Sequence, residues 1–129
     1  MKRYLLDTHT FIWWIEDSPR LSDSVREIIG DSENECWFSL VSAWEMAIKI
    51  SLERLKLAIP LKRYIPEHSA ANNFNVLAID FRHITKVAHL PFQHRDPFDR
   101  LLIAQAMTEK MVILSADPAL DGYAIERVW

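Results

Sequence analysis

The sequence predicts an α/β sandwich around a parallel sheet, on three observations. Short apolar runs alternate along the chain with longer segments of helical periodicity, the order that covers both faces of a sheet with helices. The first run, Tyr4-Leu5-Leu6, lacks polar alternation, as expected of a strand buried on both faces. Finally, Asp7 and Asp117 each follow an apolar run, which collects carboxylates along the strand-end edge where such sheets bind ligands.

Bulk properties bound the rest. A chain of 129 residues, 50% hydrophobic and 26% charged, suits one domain over residues 1–129 with a sizeable core. Its formal charge of −3 argues against a generally basic, nucleic-acid-coating surface, while leaving room for local Lys and Arg clusters. The single cysteine, Cys36, excludes an internal disulfide framework and fits a reducing compartment, where it packs in the core. No apolar run approaches the ~20 residues of a membrane span, and the charged N-terminus leads straight into a strand, so the expected location is cytoplasmic.

In chain order, the strand ending at Asp7 is followed by a short helix over residues 10–17, which stops before Pro19. Its Phe11, Trp13 and Trp14 make it richer in aromatics than one small core need bury, so it is the expected partner surface. Ser22 caps a second helix, with Val25, Ile28 and Ile29 on one stripe, and Gly30 ends it. Residues 36–38 form a second strand. Residues 40–55 are the clearest helix, with Leu40, Val41, Trp44, Ala47, Ile48 and Leu52 expected inside and Glu45 on the border of that face. A helix over 61–71, a strand over 76–79 and a helix over 81–90 closed by Pro91 follow. Asp96 then caps a buried helix over 101–110, with Pro97 at its first turn. Residues 111–114 form the next strand, and Asp121-Gly122 turns the chain into an edge strand over 123–129.

Four acids stand out: Asp7 and Asp117 at strand ends, Glu45 on a helix border and Asp99 in the first turn of a buried helix. Carboxylates brought together repel, and a divalent ion with oxygen ligands relieves this; no Cys/His set has zinc spacing, so Mg²⁺, or Mn²⁺ in its place, is implied. Such an ion activates water for phosphoryl displacement, which suggests a nuclease. Bland readings stand beside these. Asp7 can be a helix cap, Glu45 can pair with Lys49 one turn on, and Asp80 is better read as a cap than as an edge acid. Asp96 fits the cap and Asp99 the cleft.

The motifs Leu-Leu-Asp7-Thr-His, Ser42-Ala-Trp-Glu45, His94-Arg-Asp-Pro-Phe-Asp99-Arg-Leu-Leu-Ile-Ala and Ser115-Ala-Asp117, in this order over nearly the full chain, resemble the PIN-domain ribonucleases, specifically VapC-like toxins of toxin–antitoxin pairs. The resemblance implies a PIN-like three-layer sandwich whose sheet of about five strands runs in the order 3-2-1-4-5. It also implies a Mg²⁺-dependent endoribonuclease that cleaves single-stranded or loop RNA, forms a homodimer and is inhibited by a VapB-like antitoxin. Asp7, Glu45, Asp99 and Asp117 match the family's acidic positions, as catalytic residues and metal ligands. Arg95 and Arg100, the nearest basic residues in sequence, are expected to hold RNA phosphates. Three other classes compete. A receiver domain needs a Lys after its last strand, and none is there; a haloacid-dehalogenase-like phosphatase needs a second Asp where His9 stands. A non-catalytic PIN-like binding module has no need of four acids.

Overall fold

The computed structural model describes residues 2–129. Five strands form one sheet: β1 (Arg3–Leu6), β2 (Glu35–Ser39), β3 (Asn75–Leu77), β4 (Val112–Leu114) and β5 (Arg127–Val128). Their order is β3-β2-β1-β4-β5, and every neighbouring pair is parallel. That is the expected arrangement, and it differs from the flavodoxin-like order of receiver domains, in which β3 lies beside β1.

Six helices cover the sheet: α1 (Thr8–Ile15), α2 (Asp23–Gly30), α3 (Leu40–Ser51), α4 (Leu61–Ala71), α5 (Phe81–Val87) and α6 (Pro97–Glu109). Alternate side chains of each strand point to opposite faces, so the sheet divides the core in two. Tyr4, Leu6, Cys36 and Phe38 pack with Phe11 of α1, Val25 of α2 and Tyr64 of α4. Leu5 and Ile113 pack on the other side with Leu102, Ile103 and Ala106 of α6. Cys36 is buried, as expected, and burial pushes its thiol up to about 11, which leaves it unreactive. Among the described residues no helix is long and apolar enough to cross a membrane.

Several elements differ from expectation for identifiable reasons. Helix α1 starts at Thr8, two residues early. Helix α5 ends at Val87, well before Pro91, and Leu90 beyond it turns into the core. Helix α6 begins at Pro97, directly after its cap, and closes at Lys110, which adopts the left-handed conformation (φ 57°). The last strand shrinks to Arg127–Val128 because the chain stays bent after the 3₁₀ turn of Pro118–Gly122, the Ile125 N–H turning back to the Tyr123 carbonyl at 2.8 Å.

The buried face of α3 is also rotated. It consists of Val41, Ser42, Glu45 and Met46, while Trp44 is 52% exposed and Leu40 and Leu52 lie outside. Val41 belongs to one core and Met46 to the other, so α3 serves both layers and buries polar groups between them. The aromatic first helix is better buried than expected. Phe11 has no exposed surface, Trp13 and Trp14 are half-buried, and the Trp14 indole N–H donates to Asn72 at 3.0 Å. The large apolar side chains left in solvent include Trp44, Leu52 (56%), Phe81 (77%), Ile84 (51%) and Phe92 (75%).

Candidate active site

Strand β1 pairs with β2 on one side and β4 on the other, so the strand order reverses at β1 and its C-terminal end opens the switch-point crevice. Asp7 stands there. Its backbone N–H extends the ladder to the Leu114 carbonyl (3.1 Å), which fixes the carboxylate between β1 and β4. One carboxylate oxygen accepts the Thr8 N–H at 2.7 Å and the other accepts the Ser115 hydroxyl at 2.7 Å. An N-cap accepts from the second or third helical residue, so the bond to Thr8 is not the usual capping bond and leaves the carboxylate at the crevice.

Ser115 connects two of the acids, because its Oγ also accepts the Asp117 N–H at 3.1 Å. Asp117 caps the 3₁₀ turn with one oxygen, accepting from Ala119 N–H at 3.0 Å, and turns the other toward His94. Glu45 is 9% exposed. It meets the Thr8 hydroxyl at 2.7 Å and Lys49 at 2.7 Å. Thr8 lies 2.8 Å from Ser42 as well, so by donating to Glu45 it is free to accept from Ser42. The Glu45–Lys49 pair, read from sequence as an ordinary surface contact, is thus half-buried inside the site.

Asp99 and Asp96 divide the start of α6 between them. Asp96 Oδ1 accepts the backbone N–H groups of Phe98 (2.8 Å) and Asp99 (3.1 Å), a true N-cap. Asp99 is left free for the crevice, where its Oδ2 lies 2.8 Å from Nε2 of His94. Nε2 of His94, Oδ2 of Asp99 and Oδ2 of Asp117 belong to one group whose donor atoms all lie within 4.8 Å of one another. Asp7 and Glu45 join it through hydroxyls and through charge.

The electrostatics are those of a crowded acid site. Burial, then the charges of Asp7 and Asp96, push the Asp99 carboxyl up to about 7, against the opposing pull of His94; Glu45 adds to the rise. Burial also raises Asp7, with Glu45 contributing, although the bonds from Ser115 and Thr8 work the other way. Acids that hold protons this strongly are short of positive charge. An oxygen-rich donor set with that deficit fits a hard divalent cation.

The two arginines expected to hold phosphate behave differently. Arg100 is 7% exposed, and its guanidinium donates to the carbonyls of Pro91 (3.0 Å), His94 (3.4 Å) and Val87 (3.3 Å) and to the Tyr123 hydroxyl (3.3 Å). It braces the 87–94 segment, and its burial leaves little of the side chain within reach of RNA. Arg95 is exposed. Asp80 is a helix cap as expected, accepting from Arg82 N–H at 2.7 Å, with His83 completing a capping box. Sequence reasoning passed over His94, Thr8 and Ser115 as site residues. The available signal for His94 was its position five residues before Asp99 in an acid-rich stretch.

A cleft of about 320 Å³ opens on Asp7 and Asp117 and is walled by His9, Thr10 and Trp13. His9 and Trp13 stack with centroids 5.5 Å apart. The largest cleft, about 690 Å³, is formed by residues between Ile50 and Leu61 and holds none of the four acids.

Comparison with known proteins identifies the family and the fold. The family model for the PIN domain matches residues 4–126. A curated relative, Ribonuclease VapC22 of Mycobacterium tuberculosis, is 28% identical over 133 residues, covering all of both chains. Two solved structures share the fold. VapBC2 from Rickettsia felis, bound to a DNA fragment from its promoter, superposes with a TM-score of 0.72 at 10% identity, covering 98% of this chain and 97% of that one. DNA-bound VapBC from Salmonella typhimurium gives 0.70 at 15% identity, with 99% and 98% covered.

Proposed function

The chain belongs to the PIN domain family, and from that premise we propose that it is a metal-dependent endoribonuclease toxin, restrained by a VapB-like antitoxin. The observation that carries the reading is the set of acids around the switch-point crevice, where burial and then the charges of Asp7 and Asp96 push Asp99 up to about 7. Asp7, Glu45, Asp99 and Asp117 are the residues that would hold Mg²⁺ or Mn²⁺. A bound ion of this kind lowers the pKa of water and offsets charge building on a phosphodiester.

The chain's own residues supply the frame. Ser115 and Thr8 hold Asp7 and Glu45 in fixed orientations, which removes reorganisation from the reacting geometry. Lys49 pairs with Glu45 at 2.7 Å and sets a cation beside the crevice. The exposed faces of His9 and Trp13 suit stacking by an unpaired base, in line with a single-stranded or loop substrate. Arg95, exposed at the mouth of the 91–96 segment, is the remaining candidate for a phosphate contact.

The antitoxin reading draws on the relatives, which are toxin–antitoxin assemblies. The test is cleavage of a mixed RNA pool, with product ends sequenced. EDTA is expected to abolish cleavage and Mg²⁺ or Mn²⁺ to restore it; cleavage that persists after exhaustive chelation rules out the metal-dependent mechanism.

A further inference from the structure

We propose that His94 is a nitrogen ligand of the divalent ion in this site and biases it toward Mn²⁺ over Mg²⁺. The inference rests on the acid-site reading above and adds a donor to it.

The backbone of His94 is fixed from two sides. Its N–H donates to the Tyr123 hydroxyl at 2.8 Å, and its carbonyl receives the buried Arg100 guanidinium at 3.4 Å. A short loop is thereby held in one geometry with its imidazole aimed at two carboxylates. Nε2 is shielded from solvent, yet it makes no hydrogen bond: Oδ2 of Asp99 lies 2.8 Å away without the alignment a hydrogen bond requires, and Oδ2 of Asp117 lies 3.8 Å away. The side chain as a whole is 22% exposed, and its Nε2 faces two carboxylates without a hydrogen bond, the position from which a lone pair would meet a cation held by those acids.

The spacing fits such a cation. Two ligands with bonds of about 2.1 Å to one octahedral ion stand about 3 Å apart when adjacent and about 4.2 Å apart when opposite. The distance from Nε2 to Oδ2 of Asp99, 2.8 Å, is close to the adjacent spacing, and that to Oδ2 of Asp117, 3.8 Å, lies between the two and closes on either with a small side-chain shift. Imidazole is a poor ligand for Mg²⁺, which prefers oxygen and water, and a better one for first-row transition ions; Mn²⁺, the member of that row best suited to carboxylates, therefore gains on Mg²⁺ when one nitrogen joins a carboxylate set.

The experiment uses the whole chain, stripped of metal and loaded with Mn²⁺ alone. Pulsed electron paramagnetic resonance reads whether a nitrogen nucleus is coupled to the bound ion, and loss of the free-ion signal gives the affinity. Wild type should show directly bound imidazole nitrogen, with the coupling changing on ¹⁵N labelling. His94→Gln should still bind Mn²⁺, without nitrogen coupling, and its Mn²⁺-to-Mg²⁺ affinity ratio should fall. Mn²⁺ bound to wild type without nitrogen coupling overturns the proposal and leaves the acid site standing. Coupling that survives in His94→Gln also overturns it, and points to His9 on the opposite wall. Failure of wild type to bind Mn²⁺ removes both readings.

Discussion

At the scale of single residues, Asp96 and Asp99 lie three positions apart and answer opposite demands. Asp99 is ionised in the unfolded chain above about pH 4, whereas in the folded, metal-free protein it holds its proton to about 7. The folded state therefore binds more protons between those values, and Asp99 takes stability away as pH rises from about 4 to 7, after which the cost is constant. Asp99→Asn is accordingly expected to raise the melting temperature of metal-free protein at pH 8, at roughly 4 °C per kcal/mol recovered, and to give no gain near pH 4. Thermal melts at the two pH values in EDTA check this; an equal gain at both would place the effect outside ionisation. The same variant should lower cleavage by orders of magnitude, because a carboxamide holds a hard cation poorly. Asp96 should behave differently. Asn caps nearly as well as Asp, so Asp96→Asn should keep its stability and its cleavage, while Asp96→Ala should lose about 0.5–2 kcal/mol. An inactive but folded Asp96→Asn would reverse the two roles.

At the scale of elements, the segment between α5 and α6 shows what a linear reading can and cannot see. Arg100 is charged and lies in a polar stretch, which from sequence made it a phosphate ligand; its burial and its bonds to carbonyls of Val87, Pro91 and His94 make it a brace. Arg100→Ala should therefore destabilise the fold, on the order of 3 kcal/mol, since it leaves several carbonyls unsatisfied. That loss should appear in urea melts without RNA and should be insensitive to salt; wild-type stability combined with weakened RNA binding would restore the phosphate role. Caps at Ser22, Asp80 and Asp96 and the strand-end positions of Asp7 and Asp117 were legible because each depends on local pattern, whereas the strand order, a non-local property, was available only through the family resemblance. The face of α3 was not. Periodicity assumes that apolar residues go inside, whereas α3 buries Ser42 and Glu45 at the crevice and leaves Trp44 in water, so the rule failed where the site needed polar groups. His94 was illegible for a related reason: its role depends on Asp117, which reaches it from another strand end.

At the scale of the whole molecule, the surface carries more apolar area than an isolated chain of this charge requires. Trp44, Ile84 and Phe92 line a groove of about 360 Å³ with Val87 and Leu101, and Trp44 meets Phe98 edge-on at 4.9 Å. Contiguous exposed apolar surface marks contact with another protein. Helix α3 carries both Trp44, in this groove, and Glu45, in the crevice, so a protein seated here is expected to bear on the active site through that helix. The first helix, with Phe11 buried and Trp14 bonded to Asn72, offers less. Co-expression with the product of the neighbouring small reading frame is therefore expected to give a stable complex without nuclease activity. The chain alone should sediment at twice its 15.1 kDa mass if the same apolar surface also pairs two copies. Activity is measured on the purified complex and again after its partner is removed by denaturation and refolding. Recovery of cleavage on removal is the expected result. Full cleavage by a verified complex eliminates the antitoxin, while leaving the metal-dependent nuclease to be judged on its response to chelation.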